Sequence, residues 1–154
     1  YRLLKIYLRD ITIVTDQNAI HMRVGIAGVI QSGANDYEYT THLLRSDNGA
    51  ISSDRSGSAA DPQMVITGAA GVLGIGNRAG DCYSGEITVF SPNNVTEHKR
   101  IRWIGHFGRL GPEETTCEGG GTYIGGTGAL TDFQFLFTGA GGADGGEIDV
   151  YGLI

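Results

Sequence analysis

The sequence predicts an all-β chain: an antiparallel β-sandwich, jelly-roll-like, of about eight strands. It reads as a single β-sandwich domain over residues 1–154. Three observations predict this. Apolar residues recur with a period of two in run after run, and hardly anywhere with a helical period. Clusters of turn-forming residues separate these runs at short intervals. Glycine supplies 26 of the 154 residues, more than twice the usual share of about 7%, which favours turns over long helices.

The elements follow in order. RLLKIYL sets Leu4, Ile6 and Leu8 on one face and Lys5, Tyr7 and Arg9 on the other. Leu4, Tyr7 and Leu8 also suit a helical turn. Ile11 and Ile13 favour a strand, because they continue the alternation past a bulge expected near Asp10. IHMRVGI points Ile20, Met22, Val24 and Ile26 one way, with His21 and Arg23 opposite. YEYTTHLL places Tyr37, Tyr39, Thr41 and Leu43 against Glu38, Thr40, His42 and Leu44. QMVIT groups Met64 with Ile66, and GEITVF groups Ile87 with Val89. KRIRWIGHF sets Ile101, Trp103 and Phe107 against Arg100, Arg102 and His106. DFQFLF aligns Phe133, Phe135 and Phe137, and EIDVYGLI sets Ile148 and Val150 against Asp149 and Tyr151. Turn clusters such as TDQN, QSGAND, SPNN, EGGG and TGAGGADGG lie between the runs. The long polar segment from Ser46 to Pro62 reads as a flexible surface loop. Its functional alternative is a binding loop at one end of the sandwich.

Charge narrows the function. The net charge is −6, from 11 basic and 17 acidic residues. A nucleic-acid binder usually carries a basic footprint, and docking on an anionic membrane also needs positive charge. No apolar run approaches the roughly 20 residues of a spanning helix. The opening YRLLKIYLRD interrupts its apolar residues with charges, unlike a signal peptide. It begins at Tyr1 without Met, as a trimmed chain or a fragment would. Cys82 and Cys117 sit in polar or glycine-rich sequence, so neither is expected in the core. Two cysteines admit one bridge or two free thiols.

No motif for catalysis or a cofactor emerges. GIGNRAG resembles a dinucleotide fingerprint at Gly74 and Gly76, with Ala79 in the last place. The fingerprint must open a helix, yet a strand ending at Pro92 follows, so these glycines are read as turn residues of positive φ. His21, His42, His98 and His106 lie at no zinc spacing and are read as solvated residues on or beside polar strand faces. Asp144, Glu147 and Asp149 offer oxygen ligands for calcium, but at no recognised spacing. There is no GxSxG elbow and no distinguishable carboxylate pair. Asn94 opens a sequon that means nothing without a secretory context. Trp103 is read as a core anchor, with a sugar platform as its alternative. Arg100 and Arg102 form a strip suited to an acidic partner or a sugar acid; charged strand faces also discourage edge pairing.

The second half carries a familiar order of motifs. GIGN at Gly74–Asn77 precedes SGEITVFSP at Ser84–Pro92, then KRIRWIGHF, then GTYIG, and the chain closes on LTDFQFLFTGAGGADGGEIDVYGLI. Tyr1, Thr15, Asp16, Met22 to Val24, Tyr37 and Tyr39 extend the pattern loosely into the first half. The chain resembles a family of tailed-bacteriophage virion proteins and domains. Its motifs are mostly structural, and TGAGGADGG is longer than the family's usual connection. Cys82 and Cys117 lie outside the pattern. The resemblance implies a β-sandwich on the phage particle, as capsid decoration or cement or as a tail- or fibre-associated domain, with no catalytic motif to carry over.

Three classes of function are therefore weighed. The first is a non-enzymatic virion protein that docks to other virion proteins and forms a homo-oligomer such as a trimer. The second is a carbohydrate-binding module or host-surface adhesin, binding a host glycan through aromatics among Tyr7, Tyr37, Tyr39, Tyr83 and Tyr123. The third, an enzyme whose site is built from distant residues, has no motif behind it. Tyr37, Tyr39, Arg100 and Arg102 are the expected ligand or partner surface; no cofactor, metal, nucleic acid or membrane is expected.

Overall fold

A computed structural model describes residues 1–47, 50–68, 74–109, 113–139 and 141–154, with the side chains of residues 47, 52, 54 and 56 excepted. Among them the chain forms only strands and turns. In order these are β1 (Leu3–Ile13), β2 (Ile20–Ile26), β3 (Val29–Ile30), β4 (Tyr37–Asp47), β5 (Ala50–Asp61) and β6 (Met64–Val65). They continue with β7 (Tyr83–Phe90), β8 (Lys99–Gly108), β9 (Glu114–Tyr123), β10 (Leu130–Phe137) and β11 (Ala143–Leu153).

The strands form a β-sandwich of two unequal antiparallel sheets. The large sheet has seven strands in the order β11-β1-β7-β8-β9-β4-β5. The small one has the order β10-β2-β3, with β6 also paired to β2. Six inter-strand gaps of about 4.8 Å make the large sheet roughly 29 Å wide, and two make the small one roughly 10 Å. The core lies where they overlap. Ile6, Leu8, Ile87, Val89, Ile101, Trp103, Phe107 and Leu43 come from the large sheet. Ile20, Met22, Val24, Met64 and Leu130 come from the small one.

Local chemistry explains the elements. The alternation in β1, β2, β4, β7 and β8 places its apolar set in this core, because a pleated strand sends successive side chains to opposite faces. The bulge near Asp10 is present. The pairing of β1 with β7 slips between Leu8 and Ile11, and Asp10 takes a φ of 50°. At the β2–β3 hairpin, Ala27 and Gly28 both have positive φ (52° and 79°), the conformation of a two-residue type I′ turn.

Two strands depart from expectation. The segment read as a loop from Ser46 to Pro62 is instead mostly β5, which pairs with β4 from Asp47↔Ala50 to Tyr37↔Asp61. As an edge strand with little to bury, it needs no apolar alternation, so Ser, Gly and Asp do not prevent the ladder. The EGGG read as a turn lies inside β9, paired on both sides with β8 and β4.

Those glycines admit rings. A Cβ at Gly119 would lie 2.5 Å from the Trp103 indole and 2.5 Å from the Thr40 carbonyl. Tyr83 uses Gly85 and Gly105 in the same way, its hydroxyl only 2.3 and 2.4 Å from where their Cβ atoms would be. Lys99 shares the inward face with Ile101 and Trp103, and is fully buried. Its ammonium donates to the carbonyls of Asn94, Glu97 (3.0 Å) and Thr127 (2.9 Å), which tie the β7–β8 turn to the segment before β10.

Gly119→Ala is expected to destabilise the fold by about 1–3 kcal/mol, because its methyl group overpacks Trp103. At Gly120 an added Cβ finds no atom nearer than the Ile101 carbonyl at 3.5 Å. Gly120→Ala should therefore stay within about 0.5 kcal/mol of the parent. Urea denaturation of the two variants measures the contrast.

Candidate functional site

The outer face of the large sheet is assembled by register. One row of outward positions runs Tyr151, Lys5, Thr88, Arg102, Gly120, Thr40 and Gly57 across seven strands. The next row runs Asp149, Tyr7, Glu86, Ile104, Glu118, His42 and Arg55. Where the first row passes Gly120 and Gly57 it has no side chains, and the face sinks into an open trough of about 750 Å³. Thr40 lies between the two glycines, Arg102 stands at the β8 side and Arg55 at the β5 side. A second depression of about 540 Å³ continues over the same floor toward Glu38, Ser58 and Thr122.

The charges on this face are unevenly matched. Lys5 pairs with Glu86, and Arg9 with Asp149 at 3.1 Å. His42 lies 3.9 Å from Glu118, and His106 lies 2.8 Å from Glu114. Lys5 and a hydrogen bond from Thr88 hold the Glu86 carboxyl below its ordinary range against a smaller cost of burial. Arg55, Arg100 and Arg102 are exposed and make no ion pair among the described residues. Arg100 and Arg102 project on one face, two residues apart on β8.

The other expected surface residues lie elsewhere. Tyr37 and Tyr39 are corrected to core positions, with exposures of 0% and 7%. The Tyr37 hydroxyl accepts a hydrogen bond from the Val24 N–H and donates one to the Gln31 carbonyl, both at 2.9 Å. Its ring lies 5.4 Å from that of Tyr123. Neither tyrosine presents a ring to solvent, because their strand parity is that of Leu43. Tyr83 and Tyr123 are buried as well. Tyr7, half-buried, meets exposed Tyr151 edge-on at 5.7 Å.

Other candidates resolve one by one. His21 is buried rather than solvated, and burial lowers its pKa. Cys117 is a core residue, contrary to expectation, because its parity on β9 points it inward beside Gly105. Cys82 is half-buried, and both thiols are free. The Tyr83 hydroxyl has no partner at full hydrogen-bonding geometry, and its polar neighbour is the Cys117 thiol. Asp144 and Asp149 are strung along β11, where Asp144 accepts a hydrogen bond from Thr12 at 2.6 Å. The GIGNRAG segment is a loop around the carboxylate of buried Asp81. That carboxylate accepts bonds from the Arg78 backbone N–H and guanidinium at 3.1–3.2 Å. Only Gly80 there has positive φ; Gly74 is small because the Gln17 carbonyl passes 2.4 Å from its Cβ position.

Sequence reasoning found Arg100 and Arg102 through their alternation with Ile101 and Trp103. It missed Arg55, Gly57, Thr40 and Gly120 as partners, because only the strand register aligns them.

The fold and this face define an all-β sandwich protein with a broad polar sheet surface. Comparison with family models, with curated proteins and with solved structures gave no match.

Burial raises the Cys117 thiol from 9.0 to about 12 and the Tyr37 phenol from 10.0 to about 12. Both acids are thus held neutral in the fold. Their contribution to stability is complete below the unfolded pKa values and is lost as pH rises through them to about 12. The urea midpoint should fall across that range. A thiol reagent at neutral pH should modify Cys82 first, and Cys117 only on unfolding.

Proposed function

We propose that this protein is a non-enzymatic structural component of a tailed-phage virion, displayed on the particle and acting by self-assembly and docking to other virion proteins. Two things support this: the order of motifs from GIGN to the closing DVYGLI, and the condition of the last strand. The second is the observation that carries the proposal.

Among the described residues, β11 is the terminal strand of the large sheet and pairs with β1 alone. Ile148 and Val150 stand opposite Leu8 and Ile6, on the core side. Yet they are 47% and 55% exposed, because the narrow sheet does not reach them. On the outer side of the same strand, Tyr151 and Leu153 are exposed as well. Natural edge strands are usually blunted by charge, bulges or a covering element. The other edge, β5, is rich in Ser, Ala and Asp, and Ile51 is its one exposed large apolar residue among those described. Asp144, Glu147 and the irregular register lie in the first half of β11, whereas Ile148 to Leu153 present four exposed apolar side chains beside Asp149, which Arg9 pairs. That half, with its unused backbone donors and acceptors, suits burial against a further copy or a neighbouring virion protein.

The purified chain is expected to give a light-scattering mass that is a multiple of 16.3 kDa, such as a trimer, and to bind purified virions. Val150→Lys should shift the mass toward a single chain, with circular dichroism unchanged. A parent protein that remains a single chain and ignores virions would overturn the proposal.

A further inference from the structure

We propose that the trough on the outer face of the large sheet binds an acidic saccharide, a short glycan bearing sugar carboxylates. This goes beyond assembly: the trough spans β8, β9, β4 and β5, whereas the assembly edge is β11.

Shape is the first support. Gly120 and Gly57 flank Thr40 in one register row, so three neighbouring strands present a floor almost free of side chains. The Gly120 position opens onto space rather than onto a packed neighbour. Together with its extension, the depression has the size of a small-ligand site and a long, shallow form. A flat pyranose ring can lie on such a floor, with the Thr40 hydroxyl between the glycines to meet a sugar hydroxyl.

Charge is the second. Arg102 and Arg55 stand at opposite sides of the floor, and neither has a carboxylate partner among the described residues. Elsewhere on this face Lys5 and Arg9 are neutralised by Glu86 and Asp149. In a chain of net charge −6, two unmatched guanidiniums across one depression are a local reversal of sign. A guanidinium binds a carboxylate through two parallel hydrogen bonds. His42 and Glu118 on the wall add a donor and an acceptor for ring hydroxyls.

The same features disfavour other anions. The floor lies in mid-sheet, where backbone N–H groups are committed to the β4–β9 and β4–β5 ladders, so no nest of free donors awaits a phosphate. A nucleic acid would bring a continuous row of phosphates past Glu38 and Glu118, and the aromatic residue of the lining, Tyr39, is buried with its ring turned into the core, so it offers a base no face to stack on.

The test is calorimetric titration of the full chain with oligomers of galacturonate, glucuronate and mannuronate and with sialylated glycans. At least one should bind, and its methyl-esterified form should bind at least roughly tenfold more weakly, as expected when charge-assisted hydrogen bonds are lost. Arg102→Gln and Arg55→Gln should each weaken binding by a similar factor. Gly120→Leu, which fills the floor and keeps both arginines, should abolish it. The dissociated Val150→Lys protein should bind as the parent does, which separates this proposal from the assembly proposal. No binding across the whole panel would overturn it, as would equal binding of the esterified sugar, or affinity unchanged in Arg102→Gln and Gly120→Leu.

Discussion

The inner face of the large sheet must hold rings wider than the strand spacing allows, and the rest of the molecule follows from how it does so. Trp103 takes the space that a side chain at Gly119 would fill, and Tyr83 does the same over Gly85 and Gly105. Close packing leaves no other place for them, since a protein interior tolerates neither overlap nor voids. The glycine run in β9 is therefore a packing requirement inward. Its middle member, Gly120, points the other way, and there the absent side chain becomes a hollow in the outer face. One three-residue stretch thus shapes both sides of the sheet.

The second constraint is the mismatch in sheet width. A seven-stranded layer against a much narrower one cannot be covered to both edges. The chain treats the two overhangs differently. β5 is built from small polar residues and tolerates water on both faces. β11 keeps the apolar alternation of a buried strand although the second sheet does not cover it. Protection of an edge by polarity and retention of apolar side chains on it are alternative answers to the same exposure.

The strands that bury one face were legible because burial writes a period of two into the sequence. β1, β2, β4, β7, β8 and β10 were visible for that reason, including the bulge at Asp10. β5 and β9 were not. The first has no apolar face, and in the second the glycines that make room for rings erase the alternation that would mark a strand. Tyr37 and Tyr39 were misassigned to a surface even though they share parity with Thr41 and Leu43, which already pointed inward. Lys99 shares parity with Trp103 and was passed over, because nothing local shows that three carbonyls converge on its ammonium. For the trough, Arg102 was readable and Arg55 was not, since it lies in a serine-rich stretch and reaches the row of His42 only through the hairpin register.

The pairing of β1 with β11 brings Leu3 beside Leu153, and the Arg2 N–H donates to the Leu153 carbonyl at 2.8 Å. Residues 1 and 154 therefore leave the sandwich side by side, from adjacent antiparallel strands. A force drawing them apart would meet the ladder one rung at a time, like a zip, rather than loading every rung at once in shear. Tension applied between Leu3 and Leu153 would therefore meet little mechanical resistance.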